Sequence, residues 1–451
     1  MHSDPRTPGV WFVPVQEDDA ETMTKTRLGP VPHRFLGRLL ASAVTLASVV
    51  VIPACSSQDP NRSVLHNHKP VNVSDVNQIK DPAASDSMPA EFISVGNRTF
   101  FTATGTVGGA NGSPAAHRLY EASRPTFSST APPTVRISPL DKATIGDGKP
   151  STQPRALRFV PGSTEQSPSI LYLSGAEVFL WRQTSVPIAP EGPTSRLLRA
   201  DAIEPLGSEC LLAGSDVANS ILLHRIDVDK RHYEEIPNTK IVGQQVLRMV
   251  GNDANGELAM IVATASTRQL WRWVPSQSPR QVGSIVPKDV IATSEGFLIA
   301  TETDTYRLEA GATTRVPNDM GSSLVVAAIT RSGLDSWMVA STSSSTHLWK
   351  LELVETTPTW VAKVDFRMLV ADGRSLVPMG PGFGFVTGQN NLWDLQPMAS
   401  GSHPKAYSPA TTSLTGRVDR LWPAFAPPFA FFAAKTSAGP EGVELCLWWA
   451  N

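Results

Sequence analysis

Residues 337–350 read Trp337-Met338-Val339-Ala340-Ser341-Thr342-Ser343-Ser344-Ser345-Thr346-His347-Leu348-Trp349-Lys350. A short apolar run, a Ser/Thr connection and a Leu-aromatic-charged triplet make a hairpin: strand, turn chemistry, strand. The same pattern recurs along the chain. Its triplet returns as Leu119-Tyr120-Glu121, Leu180-Trp181-Arg182, Leu270-Trp271-Arg272 and Leu392-Trp393-Asp394, and the chain closes on Leu447-Trp448-Trp449. Leu223-His224-Arg225 and Thr305-Tyr306-Arg307 are degenerate copies that fill the gaps. Each copy has an apolar run upstream, from Phe100-Phe101-Thr102-Ala103 in the first to Ala430-Phe431-Phe432-Ala433 in the last. A spacing of roughly forty-odd residues is the period of propeller blades.

Further strand candidates precede the hairpins, as in Ala156–Val160, Leu197–Ala200 and Val246–Val250, and shorter ones follow, as in Trp360–Val364. With three to four strands per period, the expected fold is all-β, a β-propeller of about eight four-stranded blades over residues 91–451. Two β-sandwiches are the alternative, but one register running to the C-terminus without a linker speaks against them. The last hairpin ends almost at Asn451, so its outer strand is expected from Pro70-Val71-Asn72-Val73, clasping the ring shut.

Ahead of the repeat lie a basic stretch with Lys25, Arg27, Arg34 and Arg38, an apolar run from Leu39 to Ala54, and then Cys55. This is a signal-peptide layout, and the run is short for a membrane span. Ile52, Ala54 and Cys55 resemble the bacterial lipoprotein signal, which implies an exported chain with lipid on Cys55; Pro53 stands where that pattern has a small residue. An uncleaved signal anchor is the other reading. The acidic prefix Met1–Thr22 suits no signal, which points to Met23 as the start of translation. The expected organisation is therefore a signal region at 1–54, a polar lipid-anchored tether at 55–90 and the propeller from 91.

Blade count and anchor together resemble the eight-bladed propeller lipoproteins of the outer-membrane assembly-factor type, and more distantly the eight-bladed quinoprotein dehydrogenases. The Ala-x-Asp-x-x-Thr-Gly-x-x-x-Trp blade signature of those families is missing, so the resemblance implies a topology and an anchor and carries over no functional residue.

The chain has 39 Lys plus Arg against 41 Asp plus Glu, so no net field draws it to nucleic acid, and no nucleic-acid partner is expected. Cys210 and Cys446 sit in apolar strands of distant blades and are expected to be free thiols. No metal, phosphate, dinucleotide or nucleophile-elbow motif is present, and no cofactor or catalytic residue is assigned. Ser402-His403-Pro404-Lys405 matches Ser-x-x-Lys, but Pro404 forbids the helix that motif needs. His66 and His68 have no third ligand nearby, and Asn252–Glu257 reads as a turn rather than a calcium loop. The recurrent Trp residues read as packing between blades rather than sugar stacking.

One recurrence points inward. Arg158, Arg199, Arg248, Arg367 and Arg420 each follow the same way in an expected inner strand, where guanidinium groups would line the channel and hold an anionic ligand. Pairing with carboxylates of the next blade is the competing reading, with Asp201, Asp253 and Asp419 as candidate partners. Two functions are expected from this pattern. The first is a non-enzymatic binding or scaffold module in the cell envelope, with an envelope protein or anionic cell-wall ligand as partner. The second is a hydrolase or lyase acting on an anionic glycan or peptide in the channel.

Overall fold

The computed structural model describes residues 71–74 and 89–449, apart from 106–115, 127–134, 141–153, 193–194, 217, 219, 371–372, 381, 388–390, 398–403, 408–417, 419, 426–428 and 436–442. The chain divides into two units at Pro60, and every described residue belongs to the second. The signal region, Cys55, the His66/His68 pair and Ser402-His403 lie outside the described residues.

The described residues form strands and no α-helix. They make six four-stranded sheets and one eight-stranded sheet. The larger sheet is two four-stranded blades joined where Thr184–Pro190 and His232–Glu235 pair in parallel at their outer edges. Split there, the described residues make eight four-stranded blades. Their inner strands are Ala90–Val95, Arg155–Phe159, Arg199–Leu206, Gln245–Asn252, Asp289–Ala292, Val325–Ser332, Gly373–Met379 and Leu421–Ala424 for blades 1 to 8. Each inner strand touches the next, and the eighth touches the first, so the ring is closed. Val71–Ser74 completes blade 8 by pairing antiparallel with Val443–Trp449, inside the segment expected to be tether. The first and last described strands thus hydrogen-bond to each other, and Val71–Ser74 covers the outer side of Val443–Trp449.

The central residues of the eight triplets, the markers of the repeat, occupy the third strand of a blade, opposite the apolar run in the second, as in Tyr120 with Phe101, Trp271 with Met260 and Trp393 with Phe385. Tyr120, Trp181, His224, Trp271, Trp349 and Trp393 are buried and Tyr306 is half-buried. They point toward the preceding blade: Trp271 joins Leu211 and Leu223 of blade 3, Trp349 joins Leu298 and Ala300 of blade 5, and Trp393 joins Trp337 and Leu348 of blade 6. There is an apolar cluster at each of the eight seams, including the closing one, where Phe92 and Tyr120 meet Phe425 and Phe431. The markers are therefore inter-blade packing, as their repetition implied. Cys210 is one such core residue, a free thiol whose burial pushes its pKa up to about 12 and leaves it unreactive at neutral pH.

The inner strands obey a different rule. In six blades the pairing of inner with second strand shifts at a bulge, between Ala90 and Ile93, Arg155 and Arg158, Ala200 and Ala202, Val246 and Arg248, Val326 and Ala328, and Gly373 and Ser375. A bulge adds a residue and re-aims the side chains around it. Gly373 opens the inner strand of blade 7 because a Cβ there would collide with Ala327 of blade 6.

Candidate functional site

The inner strands enclose a channel of two compartments, of about 760 and 530 Å³, both lined by Phe92, Arg248, Arg420 and Trp422. The smaller one is walled by blades 1 to 4 and 8, the larger by blades 4 to 8 with Phe92 of blade 1.

In the smaller compartment, charges are stitched together. The Arg158 Nε donates to Glu204 Oε2 of the next blade at 2.8 Å, and the other oxygen of Glu204 accepts the Gly251 N–H of blade 4 at 3.1 Å. Arg155 donates to the Ala200 carbonyl at 2.6 Å. Asp201, buried on its bulge, accepts from Arg199 Nε at 2.6 Å and from the Val246 N–H at 3.0 Å. Asp253 is not an arginine partner; it accepts the Gly207 N–H at 2.7 Å.

The larger compartment is lined by five cations, Arg248, Lys288, Arg331, Arg374 and Arg420, against the single carboxylate of Asp289. Arg248 is paired with Asp289 on the next inner strand. Among the described residues Arg331 donates to two carbonyls, Gly333 at 2.9 Å and Ala292 at 3.4 Å. Lys288 reaches the Val326 carbonyl at 2.8 Å and Glu302 at 3.3 Å. Between the cations the wall is apolar, with Ile291, Ala328, Ile329, Leu376 and Val377.

Arg420 lies just before the inner strand of blade 8 and has no hydrogen-bond or ion-pair acceptor among the described residues; its guanidinium stands 6.0 Å from the ring centroid of Trp422. It keeps surface open to the channel, yet the enclosing walls strip enough hydration to pull its pKa below the usual arginine value. The neighbouring charge of Arg248 pulls the same way, while Glu91 and Asp289 oppose it. Arginine remains a cation throughout, so the consequence is unsatisfied positive potential rather than deprotonation.

Of the five arginines expected in the channel, Arg158, Arg248 and Arg420 line these compartments. Arg199 begins the inner strand of blade 3 and is tied to Asp201, Ser215 and the Gln244 carbonyl. Arg367 is corrected: it is exposed, with φ 56°, between Thr357–Asp365 and the inner strand of blade 7, which starts at Gly373. Nor do the five share one position. Arg158 and Arg248 follow bulges, Arg199 precedes one and Arg420 precedes its strand. Arg331 and Arg374 were missed because a lone arginine at the end of a strand, or inside a bulge, has no periodic signature.

Outside the channel, Ser345 donates to Asp365 Oδ1, and His347 Nδ1 lies 3.9 Å from the same oxygen. Serine and histidine both address the carboxylate, so the trio lacks the serine-to-histidine contact that nucleophilic catalysis needs.

The chain matches no family model and no curated protein. Among solved structures it is similar to a puromycin hydrolase complexed with PGG, with 11% identity and a TM-score of 0.45 over 80% of this chain and 60% of that one. It is also similar to a prolyl endopeptidase, with 8% identity and a TM-score of 0.43 over 90% of this chain and 60% of that one. The likeness is one of fold, and the chain spans about 60% of the length of either structure. Those structures are enzymes. The expectation of a non-enzymatic scaffold is therefore not upheld by what the fold resembles, and a likeness at this level gives this chain no activity of its own. No comparison bears on the assembly-factor resemblance beyond the propeller itself.

Proposed function

We propose that the chain serves a hydrolase that takes an acidic peptide into the propeller channel. The observation that carries this reading is the larger compartment, with five cations and one carboxylate set in an apolar wall. Guanidinium groups in a partly desolvated cleft bind carboxylates with directional, charge-assisted hydrogen bonds. A peptide suits the rest of the lining better than a glycan does. Ile291, Ile329, Leu376 and Val377 offer contact to apolar side chains, whereas sugar hydroxyls facing them would lose their water without gaining partners.

The test is incubation of the full chain with a mixture of acidic, neutral and basic peptides, with mass spectrometry of the products. Acidic peptides should be cleaved first, and cleavage should fall as salt rises. Arg331→Ala should weaken it. Uncleaved acidic peptides, or equal cleavage of basic ones, would overturn the reading.

The activity is proposed to act outside the cytoplasm on a membrane tether, supported by the basic stretch, apolar run and Cys55 at the N-terminal side. Cys55→Ala should abolish labelling by a fatty-acid analogue and release the protein from membranes. Wild type that stays membrane-bound without label would favour the signal anchor.

A further inference from the structure

Two blade seams show what a channel arginine ordinarily does in this ring. Arg158 reaches Glu204, and Arg248 reaches Asp289, in each case a carboxylate of the next inner strand. Arg420 sits at the inner edge of blade 8, and the next inner strand is that of blade 1, where the acidic residue is Glu91. Glu91 lines the same compartment as Arg420 but makes no ion pair with it. It stands on the bulge of its strand at φ 56°, a left-handed conformation that few non-glycine residues adopt. The closing seam therefore has the cation of the repeated pair without its anion in contact.

We infer that Arg420 and Trp422, on the boundary shared by the two compartments, form the subsite for one carboxylate of an acidic peptide side chain. The guanidinium donates two N–H groups to the carboxylate, taking the place that Glu204 and Asp289 fill elsewhere, and the methylenes of the Glu or Asp side chain lie on the Trp422 face. Trp422 packs on Phe92, with ring centroids 4.8 Å apart, and its exposed remainder lines both compartments. Arg158 and Arg248 add positive potential but are held by their own partners. Glu91 is then a competitor, an internal carboxylate close enough to act on Arg420 and displaced from it by the bulge.

This inference rests on the acidic-peptide reading and is separable from it, because binding is read apart from turnover. The probes are the acetylated, amidated tripeptide Leu-Glu-Leu, whose one carboxylate is the Glu side chain, and its neutral isostere Leu-Gln-Leu. Each is titrated calorimetrically at low salt into the full chain, its Arg420→Gln variant and its Glu91→Gln variant, with mass spectrometry following cleavage in parallel. Wild type should prefer the Glu peptide by about tenfold, the worth of one charge-assisted hydrogen-bonded contact. Arg420→Gln should erase that preference with little change in melting temperature. Glu91→Gln should strengthen binding of the Glu peptide and leave the Gln peptide unchanged, an effect that no structural role of Glu91 would produce.

Equal affinity of wild type for the two peptides would overturn the subsite. So would a Glu91→Gln variant that loses melting temperature to the same extent as Arg420→Gln and binds no better, since the two would then be a structural pair. Tighter binding of a galacturonic acid trimer than of the Glu peptide would overturn the assignment to peptides. A Glu preference without cleavage would uphold the subsite and refute the hydrolase; cleavage without the preference would do the reverse.

Discussion

The walls between blades and the wall of the channel are built from the same repeats under different constraints. At five seams Tyr120, Trp181, Trp271, Trp349 or Trp393 on the third strand turns toward the preceding blade into a buried apolar cluster. At the channel, the corresponding bulge carries Asp201 in blade 3, Leu247 in blade 4 and Arg374 in blade 7. Each seam must bury its faces for the ring to close, so packing is repeated; the channel has no such requirement, and its chemistry varies from blade to blade. What repeats is structural, and what departs from the repeat is where a ligand is to be sought.

Perturbing the seams should therefore cost stability and spare ligand binding, and perturbing the channel should do the opposite. Deleting Val71–Ser74 strips blade 8 of its outer strand and is expected to lower the melting temperature more than any single substitution. Amide exchange in Val443–Trp449 should rise, because its outer partner strand is lost. Protection unchanged in that strand would mean that the clasp is dispensable. Next, Trp349→Ala removes a fully buried indole that donates to the Ala340 carbonyl at 3.1 Å. The expected cost is about 3–5 kcal/mol by urea denaturation, with peptide affinity unchanged.

His224 occupies the marker position of blade 3, and burial lowers its pKa from 6.5 to about 4. Its folded pKa lies below its unfolded one, so the unfolded chain binds the proton first as pH falls. Stability should then be full above about pH 6.5 and decline toward pH 4 by on the order of 3 kcal/mol at most. His117 is shifted in the same direction by burial and adds to the slope. His224→Phe should flatten the profile, and an unaltered slope would assign the acid sensitivity elsewhere.

The smallest stability effect belongs to the channel. Asp289→Asn should cost only about 1 kcal/mol, since Arg248 and Asp289 both keep contact with water. It should nevertheless raise the affinity for acidic peptides by freeing Arg248. A large loss of stability with no gain in binding would show that the pair belongs to the scaffold.

The ring was legible in the chain because inter-blade packing favours a large ring-bearing residue, most often Trp, at one strand position, and such a preference leaves a period. Even the clasp could be anticipated, since blade 8 runs out of chain and Pro70-Val71-Asn72-Val73 is a strand candidate on the other side. The channel was legible only in part. Arg158, Arg248 and Arg420 were found by a recurrence that three-dimensional register does not uphold, while Arg367 was placed on a strand that begins later, at Gly373.

Strand alternation assigns side chains to faces only while the register is unbroken, and each bulge inverts the assignment for the residues beyond it. The sequence by itself determined the blade repeat and its inter-blade aromatics, because burial acts locally and identically at every seam. Which arginines face the axis, which have a carboxylate within reach, and that Arg420 has none among the described residues were decided only by the tertiary structure. These depend on bulges and on the approach of strands that are far apart in the chain.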